Sequence, residues 1–284
     1  MAVKGAFRGL RRLIKGSGIP EGDKKAVVIA IAAQKGGVGK TTTAVHIAAG
    51  LAMFHASKVL LIDMDAQGHV GMSLSNELQS EPPKESFGSL LLQKKRDVQE
   101  IVQSTSIENL YVVPSDRFLN ETEAQMSSRI GKELILKHAL RIARTHYDVI
   151  IIDCPPNLGT LTVNALVAAD KVLVPCDMSV LSLDGVEALL DALDTVQEGL
   201  NPDLRLFGLI RTRVDGRNTT MNRAIEEELL KRYKTFLLET PVGVSTAITK
   251  AQLAGKPIFY YDKRNRAAKN YKSLAAEIHS KLRV

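Results

Sequence analysis

Six short runs of aliphatic and β-branched residues alternate with helical patterns along this chain, and that alternation limits the fold more than any other feature. The runs are AVVIAIAA (26–33), KVLLID (58–63), LYVVP (110–114), DVIIID (148–153), KVLVP (171–175) and LRLFGLI (204–210). Each is too continuously apolar for a strand with one wet face, so together they predict a parallel sheet covered on both sides. Helices are expected for TTTAVHIAAGLAMF after the first run and for KELILKHALRIARTHY before the fourth. The expected fold is α/β, a doubly wound, mostly parallel sheet with helices on both faces. Residues 76–109, rich in Ser, Glu, Pro, Gln and Lys, read as an exposed insertion within one domain.

Ligands of such sheets bind beyond the carboxyl ends of the strands, and the first run ends in QKGGVGKTTT. A glycine-rich turn that enters a helix aims backbone N–H groups and the positive helix end at a phosphate. Gly36, Gly37, Val38, Gly39 and Thr42 form the expected cradle, Lys40 reaches the β- and γ-phosphates, and the Thr41 hydroxyl ligates Mg²⁺. The strict P-loop pattern G-x-x-x-x-G-K-[ST] asks for glycine at position 34, where this chain has Gln34 followed by a second lysine, Lys35. Two more strand ends carry carboxylates, Asp63 and Asp65 in LLIDMD and Asp153 in VIIIDCPP. Asp153 reads as the metal-side carboxylate, with Asp63 near the metal shell and Asp65 orienting the attacking water.

Composition bounds the setting. With 284 residues, 45% of them apolar and 24% charged, the chain can bury one large core. Its uninterrupted apolar stretch at 27–33 is far short of the roughly 20 residues that cross a bilayer. Two cysteines, Cys154 and Cys176, suit a reducing compartment, so a cytoplasmic protein is expected. The net charge of +7 is unevenly spread: residues 1–25 hold seven Lys or Arg against Glu21 and Asp23, and residues 256–284 hold eight against Asp262 and Glu277. The body between them is left mildly acidic. Basic ends suit a polyanion, nucleic acid or membrane, the plainer alternative being solvated charged helices.

KGGVGKTTTA, KVLLIDMDAQG and YDVIIIDCPPNLGTLTVNALVAADKVLVP resemble the deviant Walker A ATPases of the ParA/MinD group, and most of all the short chromosomal-type (Soj-like) ParA proteins. The resemblance spans about residues 26–282. It implies an ATPase with ATP and Mg²⁺ that forms a nucleotide-sandwich homodimer, with Lys40 serving its own nucleotide and Lys35, as signature lysine, the partner's. It further implies non-specific DNA binding in the ATP state, and ATP hydrolysis stimulated by a ParB-like or cargo-adaptor protein, hence a nucleoid-associated cytoplasmic protein that moves a chromosome, plasmid or protein assembly. By position, Thr212 and Arg213 of LIRTRVDG and Pro241 fall near the adenine. The DNA footprint is expected at Lys263, Arg264, Arg266, Lys269 and Lys272, helped by Lys250. The chain departs from the family at Ala66 and His69 in DMDAQGH, and at Lys250, where the family has glutamate. That charge reversal reads either as a phosphate contact or as surface drift.

Three other readings share parts of this pattern. A MinD-like membrane ATPase would end in a basic amphipathic membrane helix, but Tyr271, Leu274, Ala275, Ile278 and Leu282 form a stripe that suits a packed final helix. An iron–sulfur reductase would bridge a cluster with the two cysteines, and a metabolic P-loop enzyme would pass phosphate to a small substrate. Residues 1–25 form a separate basic extension before the ATPase domain at 26–284. About 25 residues are too few for an N-terminal helix-turn-helix. Val3, Phe7, Leu10 and Ile14 follow helical spacing, with Lys4, Arg8, Arg11, Arg12 and Lys15 around them. The expectation is an accessory arm that docks on DNA, membrane or a partner, against the alternative of a disordered tail.

Overall fold

The structure, a computed structural model, describes residues 26–217 and 219–283. All six apolar runs are strands: β1 (Val27–Ile31), β2 (Val59–Asp63), β4 (Leu110–Val113), β5 (Val149–Asp153), β6 (Lys171–Asp177) and β7 (Arg205–Thr212), with a two-residue β3 (Gln103–Ser104) before β4. They form one sheet in the order β3-β4-β2-β5-β1-β6-β7, parallel throughout except where β3 pairs antiparallel with β4. Because side chains alternate across a strand, Val28, Ala30, Leu60, Ile62, Ile150 and Ile152 enter one apolar layer, and Ile29, Ile31, Leu61, Ile151 and Leu173 enter the other. Both faces are dry, which explains the unbroken apolar runs.

The helices are α1 (Lys40–His55), α2 (His69–Ser73), α3 (Phe87–Leu92), α4 (Leu119–Ser127), α5 (Ile135–Ala139), α6 (Ala143–His146), α7 (Thr160–Ala168), α8 (Val180–Gly199), α9 (Thr219–Tyr233), α10 (Thr246–Leu253), α11 (Ile258–Tyr261) and α12 (Arg266–Leu282). Helix α1 is buried without a break from Thr43 to Ala52 because it lies between the sheet and α12. Gly50 permits that approach, since a Cβ there would stand 2.8 Å from the Ala275 Cβ. Tyr271, Leu274, Ala275 and Ile278 of α12 are buried and Leu282 packs at their edge, as the stripe predicts for a packed final helix. Among the described residues no helix is long and apolar enough to cross a membrane.

Two expectations need correction. Residues 76–109 are not a wholly exposed insertion: Phe87, Leu90, Leu91, Val98 and Ile101 are buried in the layer that covers one face of the sheet. The helix expected over 132–147 is broken into a 3-10 turn (Lys132–Leu134), α5 and α6. Side chains remote in sequence capture its backbone donors: the Ile142 and Ala143 N–H groups donate to Asp97 at 2.6 and 3.2 Å, and the Leu136 N–H donates to Asn164 at 3.0 Å. The basic extension at 1–25 lies outside the described residues.

Candidate nucleotide site

The glycine turn leaves β1 at the centre of the sheet, with β5 and β6 on either side. Gly37 at φ 76° and Gly39 at φ 90° hold left-handed backbone, and Gly39 is the N-cap of α1. Two bonds from the end of β7 fix the turn: the Thr212 hydroxyl donates to the Val38 carbonyl, and the Arg213 guanidinium to the Gly37 carbonyl, both at 2.8 Å. Arg213 is itself held in left-handed backbone at φ 52°.

Lys40 opens α1 with only 7% of its surface exposed. Its ammonium donates to the Lys35 carbonyl at 3.1 Å. Burial lowers its pKa, and the charge of Asp153 is foremost among the groups that oppose this. Lys35 points to the other side: its ammonium donates to Asp177 at 3.0 and 3.1 Å and to Ser179 at 2.7 Å. The two lysines of the turn therefore serve different neighbours.

Asp63 and Asp153 end neighbouring strands in register, and both are fully buried. Asp63 is already occupied, accepting the Asp65 N–H on one oxygen and the Val70 N–H on the other, each at 3.0 Å. These two bonds brace the loop that carries Asp65, and each oxygen keeps a lone pair beyond them. Burial pushes its carboxyl up to about 7, against those two bonds. Both oxygens of Asp153 are buried and accept no backbone N–H, and the hydroxyl that acts on them is that of Thr41. Burial and then the Asp63 charge raise its pKa well above the carboxylate range, while the Thr41 hydroxyl and Lys40 draw it down. A buried carboxylate with a hydroxyl beside it offers oxygen donors of the kind a hydrated Mg²⁺ takes, so Thr41 and Asp153 fit such an ion. Asp65 is half-buried, and its carboxylate accepts the Gln67 N–H at 3.1 Å.

A cavity of about 230 Å³ adjoins the turn, lined by Gly37, Gly39, Thr42, Thr212 and Arg213 on one side and by residues 242–245, Ile248 and Thr249 on the other. Thr212 and Arg213 both line this cavity beside the phosphate turn. Pro241 is exposed and absent from the lining, because the chain turns inward only at the buried Val242. The sequence reading also missed His46. The Ile258 N–H donates to its Nε2 at 3.0 Å, so its proton is on Nδ1, which donates to the Thr42 carbonyl at 2.7 Å. Histidine thereby joins the phosphate-loop helix to α11. No motif announces such a role.

The basic residues Lys250, Lys263, Arg264, Arg266, Lys269 and Lys272 are all exposed. Arg266, Lys269 and Lys272 lie along the outer side of α12, whose other side is buried, while Lys250 belongs to α10. Lys272 also sits over the Phe54 ring at 4.6 Å. Cys154 and Cys176 are buried free thiols, and burial raises both, Cys176 to about 12.

A parallel sheet with a two-lysine phosphate loop and carboxylates at adjacent strand ends defines a P-loop protein of the deviant Walker A class. A family model described as an AAA domain matches residues 26–206. The chain is 39% identical to the sporulation initiation inhibitor protein Soj of Bacillus subtilis, covering 88% of this chain and 97% of Soj. It is 38% identical to the chromosome partitioning protein ParA of Myxococcus xanthus, over 88% of this chain and 87% of that one. The crystal structure of cobyrinic acid a,c-diamide synthase from Mycobacterium smegmatis with bound ADP and magnesium is 33% identical, at TM-score 0.74 over 88% of this chain and 93% of that chain. The ATP complex of a Cyanothece McdA variant shares the fold at TM-score 0.80 and 20% identity, over 92% of this chain and 98% of that chain. The chain belongs to the ParA/Soj family of deviant Walker A ATPases.

Proposed function

We propose that this protein binds ATP with Mg²⁺, pairs with a second copy across two nucleotides, and hydrolyses ATP to ADP and phosphate to position a cargo on DNA. The observation that carries this reading is the set of charges at the carboxyl ends of the inner strands: buried Lys40, buried Asp153, and a Lys35 ammonium turned away from both. In the mechanism, Lys40 and the N–H groups of residues 36–42 hold the phosphates, and Thr212, Arg213 and the 242–249 segment enclose the base. Thr41 and Asp153 hold Mg²⁺, which when bound neutralises charge on the phosphoryl group in flight. Asp65 orients the attacking water, and Asp63 keeps the Asp65 loop in place. Lys35 reaches the partner's phosphates, so a second cation arrives only with the second subunit.

The relatives named for chromosome partitioning support a chromosome or similar cargo. In this reading a ParB-like or adaptor protein stimulates hydrolysis. The basic face at Lys250, Lys263, Arg264, Arg266, Lys269 and Lys272 supplies contacts to DNA phosphates that carry no sequence information. Residues 26–284 are the ATPase unit in this reading, and residues 1–25 an accessory arm for DNA, membrane or partner. Burial of the apolar stripe of α12 favours DNA over a membrane as the surface bound by the C-terminal end. The deciding experiment measures DNA retention with ATP, ADP and no nucleotide, beside a liposome arm. Retention that requires ATP is expected. Equal retention in all three states, or binding to liposomes alone, overturns the reading.

A further inference from the structure

Helix α10 ends in a turn whose own hydrogen bonds leave two carbonyls over. Gly255 holds left-handed backbone at φ 59°, its N–H donates to the Gln252 carbonyl at 3.0 Å, and the Lys256 N–H donates to that of Ala251 at 3.1 Å. These bonds close the helix without the carbonyls of Ala254 and Gly255. Asn76 takes both: its side-chain amide donates to the Ala254 carbonyl at 2.9 Å, and its backbone N–H to the Gly255 carbonyl at 3.2 Å. Only glycine allows this approach, since a Cβ at position 255 would stand 2.3 Å from Ser75 Oγ and 2.9 Å from the Asn76 nitrogen.

Asn76 closes the segment that begins at Asp65. The Gly68 N–H donates to the Asp65 carbonyl at 3.0 Å, Gly68 is the N-cap of α2, and the Val70 N–H of that helix donates to Asp63. Val70 and Leu74 are buried in one layer with Ala251, so α2 bears on α10. The Asp65 carboxylate accepts from Gln67 inside this same loop, so its aim follows wherever the loop is held. On its other side the turn meets the phosphate-loop helix, because the Ile258 N–H donates to His46 at 3.0 Å. Along the chain the turn also lies between cations of the proposed DNA face, Lys250 in the last turn of α10 before it and Lys263 and Arg264 after α11.

We infer that Asn76 is a positioning residue for hydrolysis: its two bonds to the α10–α11 turn set α2 and so Asp65, and DNA held by the cations beside that turn makes the setting firmer. The inference rests on the proposed DNA face and adds the route by which that contact reaches the attacking water. Phosphates that draw Lys250, Lys263 and Arg264 to one duplex restrain the turn. A restrained turn takes freedom from α2, so less ordering is left for the transition state. A DNA-bound subunit therefore hydrolyses ATP faster than a free one.

The test uses the full chain with Mg²⁺ and a duplex of arbitrary sequence. In single-turnover hydrolysis the duplex is expected to accelerate wild type by roughly threefold to tenfold, the scale of one hydrogen bond. Asn76→Ala should lose most of that acceleration, with ATP affinity and duplex affinity near wild type. Asn76→Asp keeps the shape but presents a carboxylate, which has no proton for the Ala254 carbonyl, and should behave as Asn76→Ala. A second readout needs no turnover: with a non-hydrolysable ATP analogue, the duplex should slow amide exchange over 66–76 in wild type and leave it unchanged in both variants. The role of Asn76 is overturned if the variants keep the full duplex effect, or if they slow hydrolysis equally with and without duplex. It is overturned too if wild type binds the duplex without acceleration or without slower exchange. A wild-type chain that does not bind the duplex with the analogue overturns the DNA face itself, and the inference with it.

Discussion

Asp63 and Asp153 close adjacent strands at the same level, yet both oxygens of Asp63 accept backbone N–H groups, whereas Asp153 faces Thr41 and Lys40 of the phosphate loop. Those backbone bonds make Asp63 a brace of the loop that carries Asp65. Asp63→Asn keeps the volume but presents an amide donor to one of two N–H groups, so the loop that carries Asp65 should shift. Single-turnover hydrolysis is expected to slow by roughly tenfold or more, with ATP affinity and Mg²⁺ half-saturation nearly unchanged. A half-saturation that rises in step with the lost rate would return Asp63 to the metal. Asp65→Ala should instead bind ATP and remain on DNA without turning it over; hydrolysis at the wild-type rate contradicts its role with the water. Much of the site was legible, because Lys35, Lys40, Asp63, Asp65 and Asp153 stand in or beside local motifs. Asp177 and His46 were not, since their partners lie 142 and 212 residues away and no local pattern encodes such a meeting.

The pairing of α1 with α12 is the element-scale link between nucleotide and basic face. His46 stacks on Tyr271 at 4.6 Å and bridges Thr42 to Ile258, so the helix that carries Lys40 and Thr41 is tied to the segment that leads into the basic residues. Burial lowers the pKa of His46 from 6.5 to about 4, with the Thr42 bond acting the other way. Between those values the unfolded chain binds a proton that the folded chain refuses. Stability is therefore lost as pH falls from about 6.5 to about 4, by roughly 3 kcal/mol at most. In urea unfolding, His46→Gln should narrow its deficit against wild type across this window as the pH drops. A deficit independent of pH contradicts the assignment. Strands were the most legible elements, six of the seven being set by their own apolar runs, while the two polar residues of β3 gave no such signal. The broken helix at 132–147 was not legible, because Asp97 and Asn164 decide it from other parts of the fold.

For the whole molecule, the uneven charge becomes a geometric statement. The sheet and its site sit in an acidic body, and the outer side of α12 with the turn before it carries the cations. If six such groups per subunit neutralise phosphates, the slope of log affinity against log salt should be about −5 per subunit, and Arg266→Ala should flatten it by roughly one. A slope near zero excludes this face as a phosphate contact. Deleting residues 2–18 should leave the ATP-dependent dimer intact and weaken DNA retention or cargo localisation; no change in either makes that segment a tail. The central claim, that Lys40 serves its own nucleotide and Lys35 the neighbour's, has a direct measurement in mixed dimers. Lys40→Ala and Lys35→Ala should each be inactive alone. Mixed, they create heterodimers in which the subunit that keeps Lys40 binds ATP and the other supplies Lys35, so one site is complete. The account predicts ATP turnover in the mixture well above the sum of the separate variants. Turnover no greater than that sum, with both variants folded, would place Lys35 in its own subunit's site and contradict the account.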